Sequence, residues 1–403
     1  MSARGVITDR QRRERLAVRH RLAPAARTND IAAIADSLVA LHSSDPATVY
    51  LSAMARMQQP STEAVSAALY EQRSVVRHHA MRRTLWVFSP QNARAAHAAC
   101  TTALAVYEWK RLAQMAQDSG LSQSGTRWVQ TAKNDTLAAL RHHGEMTARQ
   151  LGAAVPALAE KLHLSVGKPY AGTQGAHTRV LLNLGFDGAI VRGRPKGSWI
   201  NAEYTWSLTD EWLSGGLVGV APDVGAADLV RAYLARFGPA TLADVQWWMG
   251  WTLGLTKKSL AAVGAVEVAL DDGIGWMLAE DLDSIDATAS GANDASWISF
   301  LPGLDPTTMG WKQREWYLGD LGGLGATIFD RNGNGGPTVW LDGRVVGGWA
   351  QRRSGEVVYK LLTNVPANRR KHIAAEAERI SGMIGNERVS VRFPAPMQKT
   401  LLG

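Results

Sequence analysis

Apolar residues at Ile31, Ile34, Leu38 and Leu41 recur at three- and four-residue steps, the spacing of one buried helical face. Thr28 or Asn29 supplies an N-cap, and the helix must stop before Pro46, because proline disfavours helical backbone in the residue ahead of it. The stretch 42–46 is therefore expected to be a non-helical turn. Further helices are predicted over about 47–58 and after Ser61, near Glu63 and Glu71. From Ser74 to Phe88 the pattern changes. Val75, Val76, Leu85, Trp86 and Val87 flank His78, His79, Arg82 and Arg83, which suggests two short strands around a basic turn.

Three helices followed by a hairpin is the winged-helix plan, and the chain echoes it. Gly144, Thr147 and Leu151 share their spacing with Gly238, Thr241 and Val245; each set follows a helix, at about 133–143 and 226–237, with Gly as the stop and Thr as the next N-cap. Each is followed by a helix and a hairpin pattern. The first hairpin spans about 186–208, with Arg192, Arg194 and Lys196 around the turn at 193–197 and Trp199 just beyond. The second spans about 266–282 and turns at Asp271-Asp272-Gly273. After about residue 295 come short strands at 297–301, 326–329, 338–341, 345–351 and 357–362, then a helix over about 366–379 and a last strand at 388–393. The expected fold class is α+β, with three tandem winged-helix units followed by a small β-barrel module. The expected boundaries are a basic N-terminal helix at 1–22, winged helices at 23–110, 111–222 and 223–290, and the barrel with its C-terminal helix at 291–403.

The chain has 403 residues, 46% hydrophobic and 20% charged, a balance that excludes disorder as its main state. Its formal net charge of +8 favours a polyanionic partner. Arg4, Arg10, Arg12, Arg13, Arg15, Arg19 and Arg21 stand against only Asp9 and Glu14 near the start. That helix either lies along phosphates or is a charged helix packed by Ile7, Leu16, Val18 and Leu22. By contrast Asp271, Asp272, Glu280, Asp281, Asp283 and Asp286 occur with no Lys or Arg over 271–288, so the third hairpin is expected to face away from DNA. The lone Cys100 excludes an intrachain disulfide and a Cys-rich zinc site. No apolar run reaches the ~18 residues of a membrane helix, so no membrane partner is expected. With no apolar start segment, a cytoplasmic, nucleoid-associated location is expected. The 15 Trp residues are expected mostly in cores; Trp86 packs a wing rather than acting as a wedge.

Specific motifs then carry a resemblance. Leu38-Val39-Ala40-Leu41-His42-Ser43-Ser44-Asp45-Pro46 leads to Tyr50-Leu51 and Ala55-Arg56, followed by Met81-Arg82-Arg83-Thr84-Leu85 and by Gly238-Pro239-Ala240-Thr241 with Trp247-Trp248. Leu301-Pro302-Gly303-Leu304-Asp305-Pro306, Phe329-Asp330-Arg331, Gly336-Pro337-Thr338 and Asp342-Gly343-Arg344-Val345-Val346-Gly347 complete the series. Together they resemble the winged-helix DNA-binding family that contains the AlkZ and YcaQ DNA glycosylases, over nearly the whole chain. The resemblance implies a basic concave surface for double-stranded DNA and excision of alkylated bases, including bulky adducts and crosslinks made by genotoxic natural products. The glycosylase members carry Gln-x-Gln or Gln-x-Asp where this chain has His42-Ser43-Ser44.

Cleavage of a purine's glycosidic bond passes through an oxocarbenium-like sugar, and an alkylated base that is already cationic leaves without being protonated. The protein need only hold a water and stabilise developing positive charge. In an extended turn His42 and Ser44 point the same way. Neutral His42 would accept a proton from the water, Ser44 would orient it, and Asp45 would supply negative charge or fix the imidazole tautomer. A second reading stays open: Asp45 N-caps the helix starting at Pro46 and His42 is packing. The expected DNA contacts are Arg82 and Arg83 on the first wing, Arg192, Arg194 and Lys196 on the second, and Gln351, Arg352 and Arg353 beside the barrel.

Neither a metal nor a cofactor is expected. His78-His79 and His142-His143 are adjacent pairs whose side chains diverge, and the glycines at 332–336 lack the Lys-Ser/Thr of a phosphate loop. Three winged helices fused to a barrel in one chain argue against a simple repressor, which would pair two identical units across a palindrome. A monomer is expected. The alternative to a glycosylase is a noncatalytic DNA-binding protein of architectural or regulatory type.

Overall fold

The Thr8 side chain and the N3 residue Gln11 close a capping box that starts α1 (Asp9–Arg19). The structure, a computed structural model, describes residues 6–164, 167, 169, 171–283, 296–319 and 325–403. Arg4 and Asp286 lie outside the described residues. Helix α1 is bound into the protein rather than offered to a partner. Arg12 and Arg15 are buried, the Arg12 guanidinium lies 4.2 Å from the Trp316 ring, and Arg13 donates to the Trp316 carbonyl. Arg19 pairs with Asp281 at 2.8 Å. The packed alternative therefore describes this helix through buried Ile7, Leu16 and Leu22, whereas Val18, expected in that packing, is exposed.

The first unit runs α2 (Ile31–Asp36), β1 (Leu41–His42), α3 (Pro46–Met54), α4 (Thr62–Tyr70), β2 (Val76–His79) and β3 (Leu85–Phe88), with sheet order β1-β3-β2. Two details differ from expectation. Asp30, not Thr28 or Asn29, caps α2, and the helix ends at Asp36 instead of continuing to Leu41. Leu41 and His42 instead join the ladder opposite Val87 and Trp86, so strand pairing claims the backbone that the apolar spacing assigned to a helix. Helices α5 (Pro90–Ala96) and α6 (Thr102–Asp118) follow.

The second unit repeats the order with α7 (Gly125–His143), β4 (Met146–Thr147) and α8 (Ala148–Ala154). After α9 (Pro156–Ala159) and the inserted hairpin β5 (Lys161–Leu164) and β6 (Gly172–Gly175) come α10 (Ala176–Phe186), β7 (Ile190–Pro195) and β8 (Tyr204–Leu208), in sheet order β4-β8-β7. Past α11 (Thr209–Trp212), the third unit has α12 (Pro222–Phe237), α13 (Leu242–Met249), α14 (Leu253–Ala262), β9 (Ala265–Leu270) and β10 (Gly273–Leu278). Here a single bridge, Ala240 to Trp276, stands where the other units have a short strand. Thr147 and Thr241 each form a capping box, the echo visible in the sequence.

The C-terminal region corrects three expectations. The barrel is an open antiparallel sheet of β11 (Ile298–Leu301), β12 (Thr338–Leu341), β13 (Arg344–Gln351) and β14 (Val357–Leu361), in that order, with no closure among the described residues. Residues Gly325–Ile328 form a helical turn rather than a strand. The segment 388–393 pairs with no strand. Helix α15 (Ala367–Ile384) packs on both edge strands, β11 and β14, and α16 (Pro396–Leu402) lies on β13, so helices cover the edges that closure would have removed. Trp86, Trp248, Trp311 and Trp340 are fully buried, as the indole-rich composition led us to expect. Among the described residues no helix is long and apolar enough to cross a membrane.

Candidate active site

Pro46 at the first position of α3 and Asp45 at its N-cap end the extended segment that begins at β1. Asp45 Oδ1 accepts from the Ala47 N–H at 3.1 Å, and Oδ2 accepts from the Arg392 N–H at 3.2 Å. Burial pushes the Asp45 carboxyl upward, while those two backbone donors hold it down. The capping reading of Asp45 is thus realised, and its carboxylate is spent on backbone.

Ser44 and His42 do not share an environment. Ser44 is half-buried and lines a cleft of about 410 Å³, whereas His42 is buried behind that wall, its ring 4.6 Å from the Trp86 ring in an edge-on arrangement. The Ser44 N–H donates to His42 Nδ1 at 3.4 Å, so that nitrogen is the acceptor and Nε2 carries the proton in the neutral ring. Burial first, and the Arg82 charge second, lower the His42 pKa to about 3. A neutral imidazole whose lone pair is engaged by its own loop is not placed to take a proton from a water in the cleft. His42 shapes the Ser44 loop, and this corrects its expected role as a base.

The cleft lies where the first and second hairpins meet the C-terminal segment. Ser44, His79, Arg83, Arg192, Tyr204 and Arg392 line it, and among the described residues no carboxylate does. Arg83 reaches back to the buried Glu108, forming an ion pair. The Arg192 guanidinium lies 4.8 Å from the Trp206 ring and 5.9 Å from that of Tyr204. Arg392 donates from Nη1 to the Ser44 carbonyl at 3.0 Å. Beneath the floor, buried Arg77 donates from Nε to Ser43 Oγ at 3.1 Å and from Nη1 to the Tyr70 hydroxyl. A larger cavity of about 810 Å³, lined by Arg10, Arg13 and Arg344 among others, lies between α1 and the C-terminal sheet and shares no residue with this cleft.

Of the expected DNA contacts, only Arg83 and Arg192 reach the cleft. Arg82 takes a left-handed backbone, φ +53°, and packs its guanidinium 4.1 Å from the Trp247 ring of the third unit. Arg194 pairs with Glu71 at 2.9 Å and lies 4.9 Å from the Tyr70 ring, so the tip of the second hairpin is docked on α4. Lys196 pairs with Glu203 and Arg352 with Glu356, both at the surface, and Arg353 is exposed. Gln351 is corrected outright. It is buried, its amide donates to the carbonyls of Gly355 and Glu387, and its oxygen accepts from the Val389 N–H at 2.8 Å. Gln351 therefore fastens the segment that carries Arg392.

Sequence reasoning missed Arg392, Phe393 and Tyr204. The alternation of Val389, Val391 and Phe393 with Arg388, Ser390 and Arg392 was the available signal, since it marks a segment with one packed and one open face. Nothing in the sequence said which loop that segment would cross.

Comparison with known proteins places this geometry. The family described as DNA glycosylase AlkZ-like matches residues 35–383. No curated protein matches the chain. Among solved structures the fold is similar to that of the Streptomyces sahachiroi DNA glycosylase AlkZ, with a TM-score of 0.71 and 20% sequence identity over 97% of this chain and 99% of that one.

Proposed function

Because the chain belongs to the AlkZ-like DNA glycosylase family, we propose that it hydrolyses the N-glycosidic bond of alkylated purines in duplex DNA, bulky genotoxin adducts or crosslinks among them, in the cleft bounded by Ser44. The carrying observation is that the loop at Ser44 opens into a cleft walled by Arg83, Arg192 and Arg392; by the resemblance of the sequence, this loop would stand at the family's Gln-x-Gln position. Duplex DNA would lie across three winged-helix units, at about 23–110, 111–222 and 223–290, and the C-terminal β module. A monomer acting at the nucleoid, with self-resistance to a genotoxin as its purpose, fits this reading.

The chemistry asked of the site is modest. An N7-alkylated purine carries its own positive charge and departs without an acid. Ser44 Oγ would hold the attacking water on the opposite face of the sugar, the proton it loses as the C1'–O bond forms would pass to bulk solvent through the open cleft, and the neutral His42 ring would keep the Ser44 backbone in place through Nδ1. Asp45, one layer behind and held by the Ala47 and Arg392 backbone N–H groups, would hold the loop and the Arg392 segment in place. The absence of a lining carboxylate among the described residues favours a second reading, a noncatalytic DNA-binding protein.

Incubation with a duplex carrying a single 7-methylguanine, followed by hot alkali, separates the two. Strand cleavage at the lesion is expected of the glycosylase. Tight binding without cleavage on either 7-methylguanine or a bulky N7 adduct would establish the noncatalytic reading instead.

A further inference from the structure

Excision of a cationic base does not by itself call for a wall of arginines, yet the Ser44 cleft has one. Arg83 is neutralised by Glu108. Arg192 is not. Its guanidinium lies on the faces of Trp206 and Tyr204, and among the described residues it has neither a hydrogen-bond acceptor nor a carboxylate. Among the described residues the Tyr204 hydroxyl is buried without a partner, on a residue only 7% exposed, and beneath it Nη2 of Arg77, a residue 3% exposed, is likewise without one. Burial, together with the neighbouring Arg77 and Arg392 charges, lowers Arg192 to about 10, with Tyr204 opposing. Unsatisfied donors in a partly desolvated cationic wall are costly in the empty protein. A ligand in the cleft with negative charge and several acceptor oxygens would engage the lining donors, the Arg192 guanidinium and the Tyr204 hydroxyl, together.

We propose that the cleft contains a phosphodiester subsite, built from Arg192, Tyr204 and Arg392, that grips one phosphate of the strand bearing the target nucleotide. The inference rests on the duplex-DNA reading above and adds to it where, and by which groups, the strand is held beside the reacting sugar. Arg392 gives the subsite a second property. Its Nη1 donates to the Ser44 carbonyl and its backbone N–H to Asp45, while Nη2 makes no hydrogen bond among the described residues. A phosphate on that guanidinium would be linked through Arg392 to the loop that holds the water, which makes Arg392 a positioning residue. Carboxylate ligands match this wall less well, because one planar group offers two oxygens to donors arriving from three elements.

The test is binding of the full chain to a duplex with a tetrahydrofuran abasic analogue at the target position, each nearby phosphate replaced in turn by a neutral methylphosphonate. One position should cost about tenfold in affinity. Arg192→Gln on the all-phosphate duplex should cost a similar factor and lower the slope of log affinity against log salt by about 1. The two losses should not add when combined. Uniform sensitivity at every phosphate, sensitivity at none, or full additivity would overturn the proposal. The methylphosphonate scan uses the unaltered protein, so it decides even where Arg192→Gln fails to fold. Inorganic phosphate that competes with the duplex, with no methylphosphonate position sensitive, would mean that the wall takes free anions, and would also overturn it.

Arg392→Gln should lower the single-turnover rate in addition to affinity, while Arg192→Gln lowers affinity with a smaller effect on rate; equal rates for the two variants would remove the positioning role. Because the scan reads binding rather than excision, a protein with the coupled phosphate position but no release of 7-methylguanine would fail the glycosylase reading and keep this one.

Discussion

Arg56 and Asp305 form a bidentate ion pair with neither residue exposed to solvent, at 2.8 and 2.9 Å, 249 residues apart in the chain. Arg56 follows α3 and Asp305 belongs to the Leu-Pro-Gly-Leu-Asp-Pro motif after β11, so the pair joins the first unit to the C-terminal sheet. Every remaining donor is used. Arg56 Nε donates to the His20 carbonyl, Nη1 to the Ser52 carbonyl and Nη2 to Thr307, while Ser52 Oγ donates to Asp305. The opposite end of α3 carries Asp45 and the Ser44 loop, so this pair sets the frame on which the cleft is built.

Asp305→Ala should therefore destabilise the protein by about 3–5 kcal/mol, because it strands a buried guanidinium without its counter-charge. Chemical denaturation checks this, and a loss under 1 kcal/mol would show that water or another group takes over.

His42 makes a pH prediction whose sign is set by burial. Its pKa is about 3 in the folded protein against 6.5 when exposed, so its contribution to stability is complete above about pH 6.5 and is lost progressively as pH falls toward 3. His20, His78 and His79 are shifted in the same direction by burial and should add to the acid sensitivity. His42→Gln should reduce the steepness of acid unfolding. Excision, for its part, should show no inflection near pH 6.5 from this ring.

At the site itself, Ser44→Ala should slow single-turnover excision by on the order of 10- to 100-fold with duplex affinity nearly unchanged. His42→Gln should keep much of the activity, since an amide can accept the Ser44 N–H as the imidazole does. If Ser44→Ala matches the parent rate, the water is held elsewhere.

Gln351→Ala should lower stability by about 1–3 kcal/mol, from its lost buried hydrogen bonds, and leave the salt dependence of DNA binding as it was. A reduced salt slope would instead return Gln351 to the DNA surface.

In the Arg82 and Arg83 pair, Arg83→Ala should carry any change in salt slope, because Arg82 is held against Trp247 and Gly250. Arg83→Ala should also destabilise the protein, since it removes a partner of the buried Glu108. Asp271→Asn with Asp272→Asn should leave DNA affinity unchanged or slightly raised, and should loosen α1, whose Asp9 N–H donates to Asp271 at 2.7 Å.

Local rules were enough for much of this protein. The Thr147 and Thr241 capping boxes, the Asp45-Pro46 helix start, the three repeats of helices followed by a hairpin, and the strands at 338–341 and 357–361 all follow from interactions between residues close in sequence, which spacing and side-chain chemistry reveal. The α+β class and the family are likewise legible from the motifs. What the chain alone left open depended on partners far away in sequence. Leu41 and His42 could have extended α2, and β3 drew them into a ladder. Arg82 and Gln351 had the residue types of DNA contacts, and Trp247 and Val389 claimed them instead, while Arg194 pairs with Glu71 at the surface. His42 had the right chemistry for a base, and packing against Trp86 buried it. Arg392 lies 348 residues from Ser44 in sequence, yet it meets that loop across the cleft. Charge and hydrogen-bonding capacity are properties of a residue and can be read in one dimension; whether they face solvent, a ligand or another part of the chain is decided by long-range packing, which only the folded structure contains.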